Sequence, residues 1–219
     1  WAPIASGSFD GPPILHLHGL LFSAWPFFFI AQARLAASGR FERHRAMGFA
    51  GISLATAMLF MGMAVAVYSI DQGIARGFEA QSRAFSIVPI TIVLSFAVVV
   101  AAAIANVRRP EVHMRLMLVA AISVLPPAIA RVLFLVLAPD GASRPGLGEP
   151  PTVAFSLVPT FAANLLIVIA IVHDWRTRGR PHPAYLLAGT CLVALQIVRI
   201  PFSNSAAWHS ITTWLLRLG

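Results

Sequence analysis

The chain has 219 residues, 58% hydrophobic and 11% charged, with a mean hydropathy of +0.79 and a formal net charge of +8. So little polar surface excludes a soluble globular domain of this length. The positive balance has no basic soluble segment to carry it, which argues against a nucleic-acid partner and leaves an integral membrane protein in contact with a lipid bilayer.

Apolar stretches near 14–36, 46–70, 85–107, 114–138 and 152–173, with a shorter one at 183–202, each approach the roughly 20 residues that a helix needs to span the hydrocarbon core. They are continuously apolar and do not alternate, so they predict helices and not barrel strands. The expected fold class is all-α with six transmembrane helices. Ahead of the first, Asp10-Gly11-Pro12-Pro13 predicts a turn, with proline tolerated in the first helical turn. Within it, His16 and His18 stand two residues apart and would point about 200° from each other on a helix, so they do not ligate one ion together. His18 is kept as a candidate ligand, with His209 as its partner.

A phrase, Phe-Ser-x-x-Pro, recurs in the outer part of alternate helices: AFSIVP ends at Pro89 and AFSLVP at Pro159, with a looser copy, LFSAWP, ending at Pro26. Proline removes a backbone donor and frees the carbonyl one turn earlier, so Pro26, Pro89 and Pro159 predict helix kinks. Ser23, Ser86 and Ser156 are expected to help satisfy the disturbed ladder, and the competing reading is a hinge or a bent cavity wall. Pro126-Pro127 predicts a further break in the fourth helix. Cys191, the lone cysteine, allows no internal disulfide. The tail, 206–219, is too short to cross and carries Trp208, His209, Trp214 and Arg217, which suits an interfacial helix or a docking surface.

Every basic residue is arginine, and the loops after helices one, three and five hold ten of them against three acids, whereas the other side holds six against five. That asymmetry places the first set in the cytoplasm and the amino terminus outside. His44, His113 and His182 are spaced by 69 and 69 residues, each four past Arg40, Arg109 and Arg178. Together with the proline phrase, this register predicts one transmembrane domain built from three parallel helical hairpins, about 12–75, 76–143 and 144–205.

The histidines are the candidate chemistry. Three register-locked imidazoles form a ligand set for one metal ion, and two form one for haem b, with nearby arginines meeting its propionates. The competing reading makes His and Arg interfacial anchors that any duplication would copy. Arg40, Arg109, Arg178, Arg131 and Arg199 are candidate contacts to anions or headgroups, and the last two sit in or beside apolar stretches where charge is costly. Gln32, Asn106, Asn164 and Gln196 are expected to bond between helices. No catalytic constellation is legible, because the acids are few and scattered.

HLHGLLFSAW, the glutamine of FIAQARL, RFERHRAMG, RRPEVHMRLM with PPAIARV, and GRPHPAY together resemble a group of uncharacterised bacterial multi-pass membrane proteins. That resemblance implies a bacterial inner (plasma) membrane location and no established activity. A second similarity, confined to His-Arg-x-x-Gly at 44–48 and to histidines near helix ends, is to transmembrane b-type cytochromes, and it implies haem held by paired histidines. Three functions are thereby expected in competition: a non-catalytic accessory or assembly subunit of a larger membrane complex, respiratory or photosynthetic, with other membrane subunits as partners; a histidine-ligated redox protein; and a small transporter.

Overall fold

The computed structural model describes residues 11–137 and 149–218. Asp10, Asp140 and Arg144, which entered the turn and charge readings, lie outside them. All regular elements among the described residues are helical. In chain order they are α1 (Pro13–Ala37), α2 (Phe41–Ala75), α3 (Glu79–Phe85), α4 (Ile87–Ala105), α5 (Pro110–Ser123), α6 (Pro126–Leu137), a 3-10 turn (Val153–Ser156), α7 (Leu157–Arg178), α8 (Pro183–Phe202) and α9 (Ala206–Leu216). Six helical segments are long and apolar enough to cross a membrane: α1, α2, α3 with α4, α5 with α6, the 3-10 turn with α7, and α8. The all-α membrane fold read from the sequence is the observed one.

The chain divides into two compact units, the first ending at Val65 and the second beginning at Ala66, within α2. In the first unit, Trp25 and Met58 are fully buried and the Trp25 and Phe28 rings lie 6.4 Å apart. Gly39, at φ 71°, makes the left-handed turn between α1 and α2 that a side chain would strain. Phe28 presses on α2 at Gly51, where an added Cβ would meet its ring at 2.6 Å.

In the second unit α5 packs against α4, α7 and α8 at once. Its contact face is made of small and branched residues: Val119 and Ala120 are wholly buried, as is Ala103 of α4. Lipid tails are as apolar as leucine, so helix association in a bilayer rests on such close van der Waals fit and on interhelical hydrogen bonds. The fourth span is interrupted between Ser123 and Pro126, just ahead of the proline pair, because a residue preceding proline avoids helical geometry while proline suits a first turn.

The third and fifth spans open with their own interruptions, at Ser86 and over Val153–Ser156, while α1 runs on through Pro26. The serines act differently from the sequence expectation. Pro89 and Pro159 free the carbonyls of Phe85 and Phe155, but Ser86 Oγ donates to the Arg83 carbonyl at 2.6 Å and Ser156 Oγ to that of Val153 at 2.5 Å. Each hydroxyl reaches three residues back along its own chain, closing the turn ahead of the proline.

The turn from α2 into α3 brings the two helices into close approach. Gly73 faces Ser82 so closely that a Cβ would lie 1.8 Å from its Oγ and 2.6 Å from its Cβ. Gly73→Ala should therefore cost about 1–3 kcal/mol through overpacking. Gly48→Ala, on an open helix face, should leave stability unchanged or raise it by up to about 1 kcal/mol. Thermal unfolding of both variants in one detergent tests the contrast, and equal melting points would show that the Gly73 approach is not a constraint.

Candidate functional site

Two arginines of the second unit are buried, Arg115 at 0% exposed and Arg199 at 2%, and each gathers polar groups from neighbouring elements. They belong to different levels. Tyr185 beside Arg115 and Arg199 itself stand 14 residues apart on α8, about 21 Å along the axis.

At the first level, α5 and α7 each carry an acid four residues ahead of an arginine, Glu111 with Arg115 and Asp174 with Arg178, a spacing that places both on one helical face. The helices bring the two pairs together. Arg115 donates through Nε and Nη2 to the two Asp174 oxygens, at 2.7 and 2.9 Å. Its Nη1 donates to the Glu111 carboxylate at 2.6 Å and to the Glu111 carbonyl at 2.7 Å. Arg178 closes the circuit by donating to both Glu111 oxygens, and lies 3.7 Å from Asp174. The Tyr185 ring of α8 faces the Arg115 guanidinium, 5.7 Å from centroid to carbon. The acids that looked scattered in the sequence thus meet on one guanidinium, in a cluster whose two cations balance two anions.

The three register-related histidines make local contacts. His113 Nδ1 lies 2.9 Å from the Ala103 carbonyl of α4. His44 meets Gln32 in the first unit: Nδ1 is 3.3 Å from the Gln32 carbonyl, and 2.7 Å from the Gln32 side-chain nitrogen when the amide is turned to satisfy its neighbours. In that orientation the Gln32 amide oxygen also accepts from Gly48 N at 3.2 Å. His182 caps α8, its Nδ1 accepting from Ala184 N at 3.1 Å. That acceptor role fixes a tautomer with the proton on Nε2, so His182 in this state presents no ligating nitrogen on either side of its ring. Among the described residues no group of three or more His, Cys, Asp or Glu is arranged to hold a metal ion. His18 lies against Phe22, with ring centroids 4.3 Å apart.

At the second level, Arg199 turns inward. Its Nη2 donates to Ser156 Oγ at 2.8 Å and to Thr160 Oγ1 at 3.3 Å, while Nε is buried without a partner. Thr160 is wholly buried, and Asn164 donates across to Gln196 Oε1 at 2.8 Å, joining α7 to α8. The serine of the proline phrase at 154–159 is therefore the arginine's receptor. Arg131 is exposed, its guanidinium donating to the Pro127 carbonyl at 3.2 Å, and Arg40 and Arg109 are exposed in their loops.

Comparison with protein-family models, curated proteins and solved structures gave no match. The site therefore has to be read from its own chemistry.

Sequence reasoning named Arg178 and Arg199 but passed over Glu111, Arg115 and Asp174. The signal for them was the repeated acid-x-x-x-Arg spacing in EVHMR and DWRTR, with EAQSR at 79–83 as a third case in which Arg83 Nε bonds Glu79 at 2.9 Å. Breaking the buried pair with Asp174→Ala should cost about 3–5 kcal/mol, since it leaves the buried Arg115 Nε and Nη2 without the acceptors they bond, whereas Arg115→Met with Asp174→Leu together should come close to neutral. Unfolding of the two singles and the double measures the coupling, and additive losses would deny it.

His182 provides the pH-dependent element. Burial pushes its imidazole below the ordinary 6.5 and the nearby Arg115 charge pushes the same way, against the opposing pull of Asp174 and Glu111. The folded state prefers the neutral ring, so its contribution is complete above pH 6.5 and is lost as pH falls below that value toward the folded-state pKa. Melting curves from about pH 8 to about pH 5 should fall on the acid side in the native chain. His182→Asn, which keeps a capping acceptor, should flatten that slope, and an unchanged slope would place the titration elsewhere.

Proposed function

We propose that this chain is a non-catalytic accessory or assembly subunit of a larger membrane complex, lying in the bacterial inner membrane with its arginine-rich loops cytoplasmic. The observation that carries the reading is the build of the tail helix α9. Its inner face is fastened to α3: Trp208 Nε1 donates to the Arg83 carbonyl at 2.8 Å, and Arg83 Nη1 donates to Thr212 and Thr213 hydroxyls, each at 3.1 Å. Ser205 caps its first turn, and Thr212 is wholly buried. A helix of 11 residues cannot cross the bilayer, yet these bonds hold it with Ile211 and Trp214 turned outward, Trp214 lining a shallow groove with His209 and Arg217.

A fixed aromatic and arginine edge has the composition of an interface anchor. The polar interior supports the same role. Arg115, Glu111, Asp174 and Arg178 neutralise one another, and the polar pairs between α7 and α8 join helix to helix. Three hairpins in one orientation, the arrangement that the 69-residue register suggests, would offer such a partner a repeated scaffold of helices.

A redox reading ranks second, supported by His113 alone, since an Nδ1 held on a carbonyl is also how a ligating imidazole is oriented. Mild-detergent extracts separated on native gels should show the chain in an assembly larger than itself, and Trp214→Ala with Ile211→Ser should release it as a smaller species. An unchanged assembly in that double variant would remove the tail from the interface. A Soret band in the purified protein that disappears in His113→Ala would replace the accessory reading with the redox one.

A further inference from the structure

Among the described residues, the surroundings of Arg199 lack the charge that a buried guanidinium requires. Among the described residues no carboxylate pairs with it, and its neighbours Ser156 and Thr160 are neutral hydroxyls. Arginine does not deprotonate in a protein, so removing its charge from water is costly until a counter-charge arrives. Arg115 escapes that cost by binding two acids. Arg199 binds none among the described residues.

Beside it lies a small cavity bordered by Thr91, Ser95, Ser123, Thr160, Gln196 and Arg199, where α4, α5, α7 and α8 come together. Its free space is about that of one water molecule. The orphaned Arg199 Nε belongs to a side chain 2% exposed that lines this space. Gln196 has its oxygen occupied by Asn164, which leaves its amide nitrogen as a donor. Thr160 accepts from Arg199 and keeps its hydroxyl proton to donate. Thr91, Ser95 and Ser123 bond back to carbonyls of their own helices, and such hydroxyls are rotors that can swing to a better acceptor.

We propose that this cavity is a binding site for one small monovalent anion, of the halide class, held by Arg199 with Thr160 and Gln196. Charge excludes water as a sufficient occupant, since a neutral molecule satisfies the orphaned Nε without balancing the guanidinium. Size excludes phosphate, sulfate and lipid headgroups. The anion completes the outer ends of α7 and α8 as Asp174 and Glu111 complete the level of Arg115, and it ties four helices that lack an ion pair of their own there.

The test is thermal unfolding of the full chain in detergent at constant ionic strength, with sodium gluconate replaced stepwise by chloride or bromide. The melting point should rise saturably with either halide, by several degrees, and should not rise with sulfate. Arg199→Gln should abolish the rise. Thr160→Val, which keeps the shape and removes one donor, should raise the half-saturating chloride concentration about tenfold, the loss expected for one hydrogen bond to a charged group. Should Arg199→Gln fail to fold, chloride-35 NMR line broadening by the native chain, weakened in Thr160→Val, decides the matter. Identical melting in all salts, a halide effect that persists in Arg199→Gln, or line broadening indifferent to Thr160→Val would overturn the site.

Discussion

The buried bidentate contact between Arg115 and Asp174 is the constraint on which the second unit depends. In a bilayer there is little hydrophobic reward for bringing one apolar helix against another, so register between helices must come from shape and from polar groups that need each other. A guanidinium that fits a carboxylate through two parallel hydrogen bonds accepts one relative position of α5 and α7 and few others. Glu111 and Arg178 extend that fit along both helices, and Tyr185 brings α8 against the same cation. Once this level is set, Asn164 and Gln196 bond between α7 and α8 further along, and Arg199 comes to lie beside Ser156 and Thr160.

The six crossings were legible because their physics is one-dimensional: length and hydropathy suffice to say that residues 85–107 or 183–202 make a membrane helix. The break at Pro126 was legible for the same reason, since proline acts on the backbone next to it. What could not be read was the direction in which polar side chains face. Arg199 and Arg131 stand at nearly equal distances past His182 and His113, so sequence treats them alike, yet one is buried between helices and the other is exposed. The deciding difference lies in the fifth span, where Ser156 of the 3-10 turn and Thr160 of α7 both accept from the Arg199 guanidinium. Likewise Arg115 looked like one loop charge among ten until α7 supplied Asp174.

The histidines teach the complementary lesson. A register of 69 residues invited the idea of a shared site, but identical spacing does not fix identical chemistry. His113 meets a carbonyl of the preceding helix, His44 meets Gln32 and its amide, and His182 receives a backbone N–H from the helix it begins. The third of these requires the opposite tautomer from a ring nitrogen that donates to a carbonyl, so His113 and His182, though 69 residues apart in the register, carry protons on different nitrogens.

The clamp between α3 and α9 has a consequence for how the chain reaches this state. Trp208 and Arg83 are separated by 125 residues, and Arg83 and Thr213 by 130. Spans four, five and six must all be synthesised before the opening turn of span three acquires its final partners, and until then the Arg83 carbonyl and guanidinium lack the bonds that Trp208 and the two threonines supply. α9 thus seals a segment made 125 residues earlier, and the opening turn of span three waits on a helix that follows all six membrane spans among the described residues.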